Sequence, residues 1–327
     1  ALNLKDKDGI EIFKKMVKNS DVVLENFRKG TLEKLGIGYD VISKINPKII
    51  LCEISGYGRT GPYADKGGFD LVAQGMSGLM SITGESKDKP PMKVGAPITD
   101  ITAGLLATSG ILAALVHRNK TGEGQKVDTS LFEAGIVHTY WQSAIAGATG
   151  QSPGPLGSAH PLTAPYQAFK TMDKWITVGA SNQNTWLMLL KAINRMDLQE
   201  NEMFSSNLNR KKNIIQLVEI LNAELIKKTS DEWLKIFDDN GLPCGPINSI
   251  NEMFEDPQTI EREMIIEVDN KKAGTSKAIG MPIKFSKSKT EKSKGAPNLG
   301  EHTKEIMKIF NYNDEQIENF YNRKVIL

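Results

Sequence analysis

The chain has 327 residues, 39% hydrophobic and 24% charged, with a formal net charge of +2. This is the composition of a globular protein of one large or two ordinary domains. The small net charge and the lack of a concentrated basic patch imply no nucleic-acid partner, and two cysteines, Cys52 and Cys244, make neither a disulfide framework nor a metal cluster.

The opening stretch "ALNLK" reads as a short strand, and "ALNLKDKDGIEIF" has no apolar core of a signal peptide. Asp8 and Glu11 make a capping pair for a helix whose Ile10, Phe13 and Val17 share one face. "DVVLE" is a second strand. "GTLEKLGIGYDVISKIN" supplies one or two short helices ended by Pro47, and "KIILCEIS" is a continuous apolar strand of the kind found in parallel sheets covered on both faces. This alternation predicts α/β architecture with right-handed crossovers. "GYGRTG", Gly56 to Gly61, has the form G-x-G-x-x-G after a strand. Pro62 and "YADKGG" follow instead of a helix start, so it reads as a glycine turn beside a cleft and not as a dinucleotide site.

Ile101 to Val116 is the most apolar run. It is short for a membrane span, contains Thr102, Thr108 and Ser109, and reads as a buried helix. Asp100 stands at its start, in "APITDITAG". Two readings stay open there. Asp100 is either the helix cap or a nucleophilic carboxylate held at a helix N-terminus, where backbone N–H groups favour negative charge. "KVDTSLFEAGIVHTYW" leads into another apolar helix. From Gln151 to Pro165 the composition shifts to Gly, Pro, Ser and Ala, marking a loop and a domain boundary. "AFKTMDKWITVGA" reads as a hairpin about Asp173, and helices fill roughly 184–238, with Thr229 and Glu232 as a capping pair. "GLPCGPI" is a turn, "KFSKSKTEKSKGAPNLG" a charged linker whose lysines at 284–294 are solvated, and 301–311 a final helix. His117, His138, His160 and His302 have no zinc spacing, so no metal site is expected. His160, in the glycine-rich "GSAHP", is the one on a loop where function concentrates. Its plain alternative is a solvated loop histidine.

Several long blocks recur in order and carry a family resemblance: "DVVLENFRKGTLEKLGIGYD", "ISGYGRTGPYADKGGFDLVAQGMSGLMSITGE", "GAPITDITAGLLATSGILAALVHRNKTGEGQKVDTSLFEA" and "LGEHTKEI". Through the whole chain the sequence resembles the class III, formyl-CoA transferase-like (CaiB/BaiF) CoA-transferases. "GSAHPLTAPYQAFKTMDKWITVGA" and "GLPCGPINSINEMF" look most like the branch that uses succinyl-CoA and glutarate.

The resemblance implies a Rossmann-like large domain, a smaller α/β domain and an interlocked homodimer. Residues 1–150 would be the large domain, 151–275 the small one and 276–327 a return to the large one. It implies transfer of coenzyme A between acyl-CoA and a carboxylic acid, with Asp100 as nucleophile through an aspartyl anhydride and an aspartyl-CoA thioester. CoA is then a substrate, with no permanently bound cofactor. The implied coenzyme contacts are Leu2, Asn3, Leu4 and Lys5; Asn26, Phe27 and Arg28; Lys34; and Gly67, Gly68, Phe69 and Asp70. Gly157, Ser158, Ala159 and His160 correspond to the glycine-rich lid, with fewer glycines than in formyl-CoA transferases, which turns the expectation toward C4–C6 dicarboxylates. Family members begin about seventy residues earlier, a length of the order of a small subdomain. The expected location is cytoplasmic, with the mitochondrial matrix open. Two other functions compete. A racemase of acyl-CoAs needs a second proton-transfer group, but Phe69 stands where those enzymes carry a histidine, and a phenyl ring exchanges no proton. The other is a catalytically silent CoA-binding protein.

Overall fold

A computed structural model describes residues 1–288 and 294–327. The stretch 289–293 of the expected linker, inside the lysine cluster, lies outside the described residues. By backbone contacts the chain divides into two compact units. The first comprises Ala1–Met80, Lys93–Tyr140 and Gln258–Leu327, and the second Ser81–Met92 and Trp141–Pro257.

The first unit holds a three-stranded parallel sheet, β1 (Val22–Glu25), β2 (Ile50–Ser55) and β3 (Lys126–Ser130), in the order β1-β2-β3. The apolar run at 48–55 becomes the central strand, with Val23 opposite Leu51 and Cys52 opposite Val127. Ile50, Leu51 and Cys52 are fully buried, as a strand with neighbours on both edges requires. Helix Lys7–Val17 serves two apolar clusters. Val17 packs with Leu32, Ile37, Ile42, Ile49 and Leu51, while Ile12 packs with Met307, Ile317, Val325 and Ile326.

Three local readings near the start need correction. "ALNLK" is not a strand: Leu2 alone bridges Ile326, because the chain turns at once into the helix, with the Asp6 N–H bonded to the Asn3 carbonyl. The helix cap is Asp6, whose carboxylate accepts the Asp8 N–H at 2.8 Å, and not Asp8. Glu11 instead pairs with Lys14 on the helix surface.

The apolar run forms a 24-residue helix, Ile98–Thr121, long and apolar enough to cross a membrane by length and composition. We call it the long helix. It is not wholly buried. Ala103, Ala107 and Ala114 are buried and Gly110 shares their face, which lies on β2 and β3, while Leu105, Leu112 and Val116 are more than half exposed. Gly110 is needed for this approach: a Cβ built there meets Val127 Cγ1 at 2.6 Å. The stretch from 126 runs through β3 into helix Leu131–Val137, capped by Ser130. A hairpin absent from the sequence reading, β7 (Ile265–Asn270) with β8 (Gly274–Ile279), and a second late helix, Asp314–Asn322, complete this unit.

The second unit contains an antiparallel sheet of β4 (Tyr166–Lys170), β5 (Trp175–Gly179) and β6 (Cys244–Pro246). The hairpin at Asp173 formed as expected. "GLPCGPI" is more than a turn, because Cys244 to Pro246 pair with β5. The Thr229–Glu232 capping box is present at helix Ser230–Asp239. Trp186, Leu189, Leu190, Leu217, Leu221, Trp233 and Phe237 fill the core of this unit.

Candidate active site

The start of the long helix has no cap of its own. Its N-cap is Pro97, which has no side-chain acceptor, and Asp100 is the third helical residue, so the capping reading of Asp100 does not hold. A helix start leaves backbone N–H groups unpaired. One is taken from a distance: Asp70 Oδ1 accepts the Thr99 N–H at 3.0 Å and the Thr99 hydroxyl at 2.8 Å. Asp70 Oδ2 accepts from Gln74 Nε2 at 2.8 Å, and the Gln74 amide oxygen accepts the Val94 N–H at 2.9 Å. Gln74 and Thr99 are fully buried. Lys93 Nζ donates to the carbonyls of Val94 and Gly95.

The Asp100 carboxylate reaches solvent and makes no hydrogen bond or ion pair among the described residues. Crowding by the protein around it, and then the Asp70 charge, push its carboxyl above the usual range. Burial also acts upward on Asp70. There the hydrogen bonds from Thr99 and Gln74, with the Lys93 ammonium, outweigh it and hold that carboxyl below the usual range. The result is one committed carboxylate and one free one. One turn beyond Asp100, a Cβ at Gly104 meets nothing within 4 Å, so the surface beside the carboxylate is open.

Two loops meet after the C-terminal ends of β1 and β2, where open α/β sheets bind ligands. Asn26 donates from Nδ2 to the Ile54 carbonyl at 2.7 Å. Arg59, from the "GYGRTG" loop, lies with Glu25 and Glu53 in a buried charge cluster. Its Nη2 pairs with Glu25 Oε1, its Nε lies 3.1 Å from Glu53 Oε1 and its Nη1 donates to the Phe27 carbonyl at 3.1 Å. Lys126 Nζ closes the cluster, 2.8 Å from Glu53 Oε2. The other Glu25 oxygen accepts the Phe27 N–H at 2.6 Å, so one buried ion pair grips both sides of the Phe27 residue. Burial pushes the Glu25 carboxyl above its usual range, and the neighbouring Glu53 adds to this against the lowering effects of Phe27 and Arg59. Gly56 and Gly68 touch backbone to backbone: a Cβ on Gly68 lies 2.6 Å from Gly56 Cα, which only glycine permits. The Arg28 guanidinium lies 3.8 Å from a Cβ built on Gly67. No helix opens at "GYGRTG"; the next begins at Asp70, as the rejection of a dinucleotide site requires.

Of the residues implied by resemblance, Arg28, Gly67, Gly68, Phe69 and Asp70 therefore lie in one connected group with Asn26 and Phe27, and Asp70 joins it through Thr99 to Asp100. Phe69 is 78% exposed. The side chains of Arg28 and Lys34 are exposed cations without an ion pair among the described residues. Leu2, Asn3, Leu4 and Lys5 lie at the start of the chain, beside its C-terminal residues. Asn3 N–H bonds to the Val325 carbonyl, the Leu2 and Leu4 side chains pack in the two apolar clusters, and among the described residues no hydrogen bond or ion pair ties the segment to the 26–28 group. Sequence reasoning missed Thr99, Gln74 and Arg59. For Gln74 a signal existed, since it stands four residues after Asp70 on one helix face.

In the second unit the Gly157–His160 segment is tied down. Gly157 N–H bonds to the Gly84 carbonyl, and Ser158 Oγ accepts the Ala168 N–H at 3.0 Å. His160 Nδ1 accepts the N–H groups of Leu162 and Thr163, both at 3.1 Å, which assigns the ring hydrogen to Nε2. Trp141 and Tyr166 meet the imidazole edge to face, and Lys211 Nζ donates to the His160 carbonyl at 3.0 Å. Burial, and then the Lys211 charge, hold the imidazole below its usual pKa, so it is a neutral donor near pH 7. Among the described residues no cluster of His, Cys, Asp and Glu is suited to a metal ion.

A model of CoA-transferase family III matches residues 1–303. An acyl-CoA transferase of Fusarium pseudograminearum is 39% identical, over 98% of this chain and 70% of its own length. Succinyl-CoA:glutarate CoA-transferase of Mus musculus is 36% identical, over 97% of this chain and 73% of its own. The crystal structure of a CAIB/BAIF family protein from Brucella suis superposes with a TM-score of 0.82 at 34% identity, covering 95% of this chain and 80% of that one. With a parallel α/β sheet, a free carboxylate at a helix start and these likenesses together, the chain belongs to CoA-transferase family III, a family of enzymes.

Proposed function

We propose that this chain moves coenzyme A between a C4–C6 dicarboxylic acyl-CoA and a free dicarboxylate, with Asp100 as the nucleophile. The observation that carries the reading is the free Asp100 carboxylate, open to solvent in the first turn of the long helix with its basicity raised. The substrate class comes from the mouse relative, whose name pairs succinyl-CoA with glutarate.

The chemistry balances in four steps. The Asp100 carboxylate attacks the thioester carbonyl of the donor, giving a mixed anhydride and CoA thiolate. The thiolate attacks the Asp100 carbonyl of that anhydride, giving an aspartyl-CoA thioester and the free donor acid. The acceptor carboxylate attacks this thioester, re-forming an anhydride and releasing thiolate. The thiolate then attacks the acceptor's acyl carbon, yielding the new acyl-CoA and restoring Asp100. Each step exchanges one activated acyl bond for another, so no external energy source is needed.

Asn26–Arg28 and Gly67–Phe69 are assigned to the coenzyme, with Arg28 and Lys34 facing its phosphates, Arg as a fork and Lys as a point charge. Leu2–Lys5 are assigned on resemblance alone. Gly157–His160 is assigned as the lid over the acyl group. A second copy of the chain is assigned to the exposed apolar stripe of the long helix, Ile101, Leu105, Leu112 and Val116. Sedimentation then gives one species near twice 36.0 kDa, and a monomer refutes that partner. The free Cys52 and Cys244 suit a reducing compartment, the cytoplasm or the mitochondrial matrix.

The deciding experiment mixes the protein with succinyl-CoA and labelled glutarate and follows label into glutaryl-CoA. The parent transfers label and Asp100→Asn does not. Asp100 caps nothing, so this change leaves the Asp70–Thr99 contacts in place. Transfer by the Asn variant above a few per cent of the parent refutes the assignment.

A further inference from the structure

The Asp70–Met76 helix grips the approach to the long helix at two points. At one end Gln74, fully buried, takes the Val94 N–H. At the other, Asp70 takes both donors of Thr99, the residue immediately before Asp100. Gln74 also holds Asp70, through the 2.8 Å bond from its Nε2 to the remaining carboxylate oxygen. Both oxygens of Asp70 are thus committed inside the protein. With Thr99 bonded through its backbone and its side chain, Asp100 is presented from a backbone that has little freedom to turn.

We propose that Asp70, held by Gln74, is the positioning residue that fixes Asp100 for attack, and is not a ligand of the coenzyme. The inference rests on Asp100 being the nucleophile. Its energetic logic is that of orientation. A reacting group displaced by about 1 Å loses on the order of a hundredfold in rate even when substrate binding is unaffected. Asp70 has a second effect through its charge, which opposes ionisation of Asp100 and keeps that carboxylate more basic. Other titratable groups on elements packed here are Lys93 in the preceding loop, which acts on Asp70; Glu133 on helix Leu131–Val137, whose carboxylate accepts the Ser130 hydroxyl at 2.7 Å; and His138, whose Nε2 is 2.7 Å from the Thr102 hydroxyl in the next part of the long helix.

Two variants separate positioning from coenzyme contact. Asp70→Ala removes the grip and the charge, and kcat falls about a hundredfold while KM for succinyl-CoA stays near the parent value. Asp70→Asn keeps an oxygen for the Thr99 donors, removes the charge and gives up the bond from Gln74 Nε2, which then faces the new amide NH2. The Asp100 pKa then falls, so the acid limb of the kcat/KM profile moves to lower pH. Because Asp70→Asn preserves the Thr99 bonds, it reads the pH limb even if Asp70→Ala is too unstable to assay. The proposal is overturned if Asp70→Ala keeps its kcat, if it raises KM alone, or if the acid limb of Asp70→Asn matches the parent. Capture of the acyl or CoA adduct by mass spectrometry in the same proteins separates the two claims. An adduct on Asp100 in the parent with unaltered Asp70 variants overturns the positioning role alone, and no adduct on Asp100 in the parent overturns the nucleophile itself.

Discussion

Gly110 holds the long helix against the sheet, and replacing it tests whether that close approach fixes the helix. Ala103, Ala107, Gly110 and Ala114 recur at helical spacing along the face that meets β2 and β3. A Cβ on Gly110 lies 2.6 Å from Val127 Cγ1. Carbon atoms prefer about 3.5–4.0 Å, so the overlap is about 1 Å. Val127 cannot rotate clear at low cost, because β-branched side chains are stiff and its strand is locked in register opposite Cys52. Overpacking of this kind costs about 1–3 kcal/mol. Gly→Ala inside a helix returns about 1 kcal/mol through propensity. Gly110→Ala is therefore net neutral to destabilising by about 2 kcal/mol, the difference of those two terms. Val127→Ala deletes the clashing methyl. In that background Gly110→Ala becomes stabilising by about 1 kcal/mol, the propensity gain alone. Urea unfolding of the four proteins closes the cycle, with an expected coupling of about 1–3 kcal/mol. Additive effects, with coupling under about 0.5 kcal/mol, refute the close-packing argument.

Arg59→Met leaves Glu25 and Glu53 buried without their guanidinium and costs about 3–5 kcal/mol at neutral pH, read as a lowered Tm. Glu25 already has a raised pKa, and losing Arg59 raises it further. A carboxyl that binds its proton more tightly when folded stabilises at low pH and loses that contribution as pH rises through its folded pKa, so the Tm deficit of Arg59→Met shrinks on acidification toward pH 5. An equal deficit at both pH values contradicts the cluster's role. For His160, the Nε2–H is assigned to the distal carboxylate of the acyl group, a charge-assisted contact worth about 1.5–3 kcal/mol. The preference for glutarate over pentanoate, by kcat/KM, falls about 10- to 150-fold in His160→Ala. An unchanged ratio shows that His160 only braces its own loop.

The fold was most legible where a segment's burial is written in its own composition. "KIILCEIS" is apolar without a break from Ile49 to Cys52 because β2 is flanked by β1 and β3, and Thr229 with Glu232 form a capping box within four residues. The β7–β8 hairpin escaped because β8 is exposed at nearly every position and carries no alternating pattern. Asp8 and Glu11 had the spacing of a capping box, but Asp6 two residues earlier took the role. At the site, Asp100 was legible as a carboxylate at a helix start. Its support was not, because the Asp70–Thr99 bonds cross 29 residues and the Arg59–Glu25 pair crosses 34. Local periodicity carries no information about such pairings. Asp70 and Phe27 were reached through the family blocks, while the geometry gives Asp70 to Thr99 and clamps Phe27 by its backbone.

If Asp100 is the nucleophile, it becomes covalently bonded during turnover. Incubation of the intact protein with succinyl-CoA and no acceptor, followed by digestion and mass spectrometry, tests it directly. The expected product is CoA attached through a thioester to the peptide containing Asp100, converted by hydroxylamine to the hydroxamate and absent from Asp100→Asn. An unmodified Asp100 peptide in a protein that still transfers CoA from succinyl-CoA to glutarate, or an adduct on another residue, contradicts it.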